Sequence, residues 1–348
     1  MKTTRRNLLS AAGAVALGVF SATGASAQDV TLKMHQMLPA QAAIPANMLD
    51  VWAAKVEEES NGRIEVDHYP AMQLGGVPPE LVDQVQDGIA DVIWTVVGYT
   101  PGRFPATEVF ELPFFVDDAN AASYAFWKMY EESMAETDFP NMKMLATFVH
   151  GPGLFHTMDP VETPDDLQGM KIRGGSRLVN QMLEAVGATP VGMPVPGVSE
   201  ALSKGVIDGT TLPWEVTTAV KTSELVSNHT FFEGAGLYTL AFIVAMNQDV
   251  YDNLPDDLKQ VIDDNSGLAF SDMGADVMLA GDAAGLAIAQ DMGNDIVTID
   301  AATVESDWMP IVQPIYDSWA ADMDSKGYDG QALIARARAL MDEYKAAN

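Results

Sequence analysis

Alternating apolar and polar positions over residues 30–34 predict a short strand, and Met48, Leu49, Trp52, Ala53 and Val56 recur at helical spacing across 46–59. Asn61-Gly62 ends that helix, 64–69 alternate again, and Gly75-Gly76 turns the chain. Residues 79–86 follow as a helix with Leu81, Val82 and Val85 inward, then 89–97 as a buried strand. The order is a βαβαβ half-domain. A second run begins after Thr163: a short helix at 164–167, a strand at 170–173, a helix at 177–186 closed by Gly187, a strand at 189–193, a helix at 198–204 and a strand at 206–212. From Leu254 onward the pattern predicts mostly helix, over 256–265, 268–292 and 304–344, with breaks near Gly293, Pro310, Pro314 and Gly327. The fold class read from this order is α/β.

The two runs echo each other. Residues 81–91 and 198–208 share a helix, a glycine, an apolar pair and an aspartate, the last at Asp91 and Asp208. A true repeat would make two similar α/β lobes, although helix-Gly-strand connections are common in unrelated chains.

Composition narrows the function. The 348 residues carry 49 acidic and 19 basic side chains, a formal charge of −30, so the basic footprint of a nucleic-acid binder is missing. Zero cysteines exclude a disulfide scaffold, a thiolate nucleophile and any Cys-ligated metal. Lys2, Arg5 and Arg6, an apolar stretch from Leu8 to Phe20 and the small residues Ala25-Ser26-Ala27 read as an export signal over 1–27, in either a twin-arginine or an ordinary secretory form. Its removal takes three basic residues and leaves −33. No later apolar run reaches 18 residues, so no insertion in a bilayer is expected after cleavage, and the periplasm is the expected compartment.

Catalytic motifs are missing from the sequence: it has no G-x-S-x-G elbow, P-loop, G-x-G-x-x-G or H-E-x-x-H. Asp322 to Gly327 approaches a calcium loop, but Lys326 puts a cation where a ligand belongs. No catalytic residue, metal or cofactor is expected. The histidines read first as structural, with His150 and His156 flanking a glycine-rich turn that could line a cleft. Arginine is scarce after residue 27: Arg63, Arg103, Arg173, Arg177, Arg336 and Arg338. Arg173 ends a strand and runs into Gly174-Gly175-Ser176 and a helix, where open α/β sheets bind anions, and its planar fork matches a carboxylate. A structural salt bridge is the alternative.

Several ordered blocks resemble one family. Glu162 to Arg173, Val186 to Val191 and Glu200 to Gly209, with the earlier Asn61 to Val66, Gln73 to Gly76 and Glu111 to Phe114 and the later Met246-Asn247 and Leu254-Pro255, are similar to the substrate-binding proteins of tripartite ATP-independent periplasmic (TRAP) transporters, the DctP-like family. The resemblance spans nearly the whole chain after residue 27. It implies a two-lobed periplasmic binding protein with segment-swapped lobes, hinge strands and a long helix. The expected division is 28–150 plus about 239–278 in lobe I and 151–238 plus about 279–348 in lobe II. It also implies a non-enzymatic receptor that binds a small organic acid and delivers it to an integral-membrane TRAP permease, with Arg173 as the carboxylate anchor. Where many relatives carry a polar residue this chain has Leu212, and where many carry an arginine it has Gly153 to Thr157. Those departures argue against a sugar acid or dicarboxylate. Trp214, Phe155, Tyr99 and Phe148 suggest an apolar wall around a single acid group, with His150 in the cleft and Trp214 stacked on the ligand's body. Glu215 could accept a ligand hydroxyl or ammonium, share a cation, or position a neighbour. Two rival readings are the binding protein of an ATP-driven importer and an exported hydrolase with an unrecognised carboxylate pair.

Overall fold

The computed structural model describes residues 30–348, and the expected leader at 1–27 lies outside them. Two sheets organise the chain. The first has the order Ile64–Tyr69, Val30–His35, Val92–Val96, Ala241–Asn247, Met142–Val149. Its first three strands are parallel, and Ala241–Asn247 runs antiparallel to both neighbours, with Val244 opposite Trp94 and Phe242 opposite Phe148. The second has the order Asp295–Ile299, Asn228–Phe232, Leu154–Thr157, Gly209–Leu212, Lys171–Gly174, Thr189–Gly192. Each sheet therefore receives a strand from a distant part of the chain, which is the segment swapping that the resemblance implied.

The internal echo is structural. Lys33 N–H donates to Asp91 Oδ2 at 2.8 Å and Asp91 N–H returns to the Lys33 carbonyl at 2.9 Å. Lys171 N–H donates to Asp208 Oδ2 at 2.8 Å and Asp208 N–H to the Lys171 carbonyl at 2.7 Å. Before each aspartate the chain passes a left-handed glycine, Gly88 at φ 71° and Gly205 at φ 64°, as a helix ending directly before a strand requires.

Two crossing segments join the sheets, between Val149 and Leu154 and between Phe232 and Ala241. They are hydrogen-bonded to each other: Gly153 N–H to the Tyr238 carbonyl at 2.9 Å and Leu237 N–H to the Gly153 carbonyl at 3.0 Å. A Cβ at Gly153 would lie 2.3 Å from the Tyr238 ring, and one at Gly236 would lie 2.4 Å from Pro152, so glycine at both positions lets the backbones touch. The 24-residue helix Leu268–Asp291 then packs on Ala119–Met129 and Met142–Val149 of the first-sheet side and on Trp214–Val220 of the second, and feeds Asp295–Ile299.

Most predicted elements form close to their expected bounds, with differences that have local causes. The strand expected at 89–97 is Val92–Val96, because Gly88 to Asp91 form the turn. The helix Met309–Ser325 continues through Pro314 and follows directly on the π turn Val304–Trp308, with Pro310 at that junction. A strand, Asp295–Ile299, interrupts the region read as mostly helical. The last helix, Gly330–Ala347, packs on Ala119–Met129 and on Met309–Ser325, burying Ile334, Ala337, Leu340 and Met341 and pairing Lys345 with Asp117. Among the described residues no helix is long and apolar enough to cross a membrane.

Candidate functional site

Arg173 stands at the carboxyl end of Lys171–Gly174 and is 1% exposed. Ser176 caps the next helix, Arg177–Ala185, by accepting the Val179 N–H. Gly175 lies between them, where a Cβ would be 3.2 Å from Arg173 Nη2 and 2.8 Å from Leu240, so glycine leaves the guanidinium its space. Nε donates to the Met193 carbonyl at 2.8 Å, Nη1 to the Thr211 carbonyl at 3.1 Å, and Nη2 makes a long 3.5 Å contact to the Tyr99 hydroxyl. A guanidinium has five N–H groups, so one remains on each terminal nitrogen, the number that a bidentate carboxylate uses.

No acid neutralises this cation among the described residues. Arg63 pairs with Asp257, Arg103 with Asp83, Arg177 with Glu108 and Arg336 with Glu132, while Arg338 lies over the Phe115 ring. Arg173 is the buried arginine left with neutral partners only. An unpaired buried charge costs several kcal/mol, about what a ligand anion would recover.

The guanidinium lines a narrow cavity of about 30 Å³ between the two sheets. Its walls are mostly apolar: Met37, Leu38, Val96, Leu212, Phe242 and Met278 are among them. Trp94 and Phe242 stack at 5.6 Å, and Phe242 and Phe148 at 5.5 Å, so three strands present a ladder of parallel rings. Two buried polar atoms in this wall lack a hydrogen bond: Trp94 Nε1, and the Tyr238 hydroxyl, which lies close to Thr211 without a well-formed bond. Tyr99 accepts the Val195 N–H at 2.8 Å, which leaves its own O–H free to donate. A second, more open cleft of about 490 Å³ borders Tyr99, Ser176 and Arg177.

Of the residues singled out from sequence, Arg173, Tyr99, His150 and Glu215 line the same cavity. Three others do not. Trp214 begins the helix Trp214–Val220, for which Pro213 is the N-cap rather than a mere strand end. Its indole packs on Leu154, Ala289, His156 and His229 and lies outside the cavity of Arg173, where stacking on a ligand was expected. Phe155 packs on Phe232 and Trp308, because its strand turns that side chain away from the cleft. Phe148 lies behind Phe242 and supports the wall without lining it. Trp94, Tyr238 and Phe242 were missed: each sits in a stretch that reads as ordinary core, and only the sheet order brings them to the cleft.

His150 is spent on the backbone. Its Nδ1 contacts the Gly151 carbonyl and Nε2 accepts the Leu240 N–H at 3.1 Å, so it is neutral and ties one crossing segment to the other. Burial lowers it to about 4. His156 and His229 face each other through Nδ1 at 2.7 Å, with the Leu212 carbonyl and Asn294 as outer partners, a satisfied structural pair. Burial pushes the Glu215 carboxyl up to about 8, with Asp282 adding repulsion, and pushes Asp282 up to about 7 against the Glu215 N–H that it accepts at 2.8 Å. Among the described residues no group of three or more His, Asp or Glu is placed to hold a metal.

Comparison with known proteins agrees with this arrangement. The family model "Bacterial extracellular solute-binding protein, family 7" matches residues 37–322. A TRAP solute-binding protein from Rhodoferax ferrireducens T118, solved with copurified benzoate, is 47% identical, covers 91% of this chain and 99% of its own, and superposes with a TM-score of 0.88. A marine metagenome TRAP protein specific for aromatic acid ligands, solved with 3-hydroxybenzoate, is 43% identical over 91% and 99% of the two chains, TM-score 0.88. One from Bordetella bronchiseptica with bound (R)- and (S)-mandelate is 30% identical over 90% and 99%, TM-score 0.82.

Proposed function

The chain belongs to the bacterial extracellular solute-binding proteins of family 7, and from that membership we propose which acid it carries and how. It is a two-lobed TRAP solute receptor for a small organic acid. The acid we assign is an aromatic monocarboxylate of the benzoate class, held in the cavity between the sheets. The carboxylate pairs with Arg173, with Tyr99 and Tyr238 as neighbouring hydroxyl donors, and the ring lies in the apolar space bounded by Trp94 and Phe242. One observation carries the reading: a buried arginine with no acidic partner faces a mostly apolar cavity. The bound aromatic acids of the similar structures support the same ligand class.

Capture without turnover is the activity we propose, in keeping with the solute-binding family, and the hydrolase alternative would need two acids facing the substrate. Glu215 and Asp282 are the buried pair beside the cavity, but only Glu215 lines it. Delivery is to a membrane permease of the TRAP type, from the extracytoplasmic side. For closure we assign 30–149, 241–267 and 330–347 to one lobe and 154–232 and 295–325 to the other, with Leu268–Asp291 bridging them.

The test is a thermal-shift panel on protein free of bound ligand. Benzoate and its ring-substituted relatives should raise Tm in a concentration-dependent way, about 2.7 kcal/mol of stabilisation at 100 times Kd. Hexuronates and C4-dicarboxylates should leave it unchanged. Stabilisation by those polar acids and not by benzoates would overturn the assignment.

A further inference from the structure

Glu215 is the acidic side chain that lines the cavity, and it is 3% exposed. Its backbone N–H is used on Asp282 Oδ1, but among the described residues no hydrogen bond or ion pair reaches its carboxyl oxygens. Two glycines clear the space around these acids. A Cβ at Gly281 would lie 2.4 Å from Glu215 Cγ, and one at Gly151 would lie 2.0 Å from Asp282 Oδ2. The acid is therefore accommodated by the fold and left without a partner, in a wall otherwise formed by Leu38, Pro213, Val216 and Met278.

A buried polar group without a partner is costly, so the chemistry of whatever satisfies it is constrained. Burial and the neighbouring Asp282 both favour the neutral acid, which has one O–H to donate and a carbonyl oxygen to accept. A second carboxylate on the ligand would be repelled by Asp282 and by any ionised fraction of Glu215. An ammonium would need Glu215 ionised next to Asp282, the state that burial opposes. A hydroxyl can donate to Glu215 or accept from it, and so pairs with either form. Trp94 Nε1, the unpartnered indole donor of the same cavity, can serve the hydroxyl oxygen as well.

We infer that Glu215 is a specificity-determining residue of this cavity, whose carboxyl group pairs with a hydroxyl on the ring of an aromatic acid held at its other end by Arg173. This rests on the reading of Arg173 as the carboxylate anchor. The receptor is then tuned to hydroxybenzoates rather than to benzoate itself.

Isothermal titration at pH 7 with benzoate, the three hydroxybenzoates, 3-(aminomethyl)benzoate and isophthalate tests it on wild type, Glu215→Gln and Glu215→Leu. In wild type at least one hydroxybenzoate should bind tenfold or more tighter than benzoate, a step of about 1.4 kcal/mol. Glu215→Gln, which keeps a donor and an acceptor, should hold that ratio within threefold, and Glu215→Leu should bring it to within twofold of unity. A ratio near unity in wild type for every isomer overturns the hydroxyl contact without needing either variant to fold. So does a preference that survives in Glu215→Leu, or tighter binding of the ammonium or dicarboxylate compound. Failure of every aromatic acid to bind wild type overturns the anchor reading and this inference together, whereas benzoate binding without hydroxyl preference overturns this inference alone.

Discussion

Arg173 draws its meaning from what surrounds it. The strand that ends in Gly174-Gly175-Ser176 puts it at a helix N-terminus, and the backbone carbonyls of Met193 and Thr211 hold its fork in place. Arg173→Ala should lose about 2–5 kcal/mol of benzoate affinity by calorimetry, with Lys restoring part of it because an ammonium pairs at one point only. Binding within twofold of wild type would contradict the anchor. The buried acids give a second prediction. Burial pushes Glu111 and Glu215 each up to about 8 and Asp282 to about 7, all above their unfolded values. A raised carboxyl contributes stability that is complete below the unfolded pKa and is lost as pH rises through the folded one. His150 and His229, lowered to about 4 by burial, act only below their ordinary 6.5, which leaves the window from 6.5 to 8 to the acids. Urea unfolding should therefore show wild type less stable at pH 8 than at 6.5, by about 1–2 kcal/mol for each buried glutamate. Glu111→Gln and Glu215→Gln should each flatten that slope, and a flat wild-type profile would contradict the assignment. Arg173 was legible in sequence because its setting is local. Trp214 was not: as the first residue of a helix its indole turns onto His156 and His229, while Glu215, one position and about 100° further round, reaches the cavity.

The elements that make the cleft are the two crossing segments and the strands they deliver. Gly153 and Tyr238 lie so close that any side chain at 153 must displace the ring or the carbonyl. Gly153→Ala should cost about 1–3 kcal/mol of unfolding free energy, the usual range for overpacking, and wild-type stability in that variant would show that the crossing is loose. The same segments explain what sequence periodicity could not supply. Ala241–Asn247 is buried at every position, so it shows no alternation, and its antiparallel insertion between Val92–Val96 and Met142–Val149 is a long-range event. The βαβ runs 30–97 and 164–212 were readable because their partners are near in sequence and their turns carry Gly88, Gly187 and Gly205 in the left-handed conformation. The family resemblance supplied the swap that local patterns left open.

Across the whole molecule, a strongly acidic composition contrasts with the buried cation of Arg173. A formal charge of −30 over the full sequence repels anions in general, so under the proposed assignment a small acid is held against that field by Arg173. Tyr99, on the first sheet's side, contacts Val195 and Arg173 of the second, and His150 ties the two crossing segments together behind them. Under the proposed assignment, recognition depends on the ligand supplying the missing counter-charge while its ring fills the space bounded by Trp94 and Phe242. The most direct test is a calorimetric comparison of benzoate with benzamide, which has the same ring and nearly the same shape but no charge. The structure predicts that benzamide binds at least about a hundredfold more weakly, a loss of roughly 2.7 kcal/mol. Equal affinity for the two would contradict it.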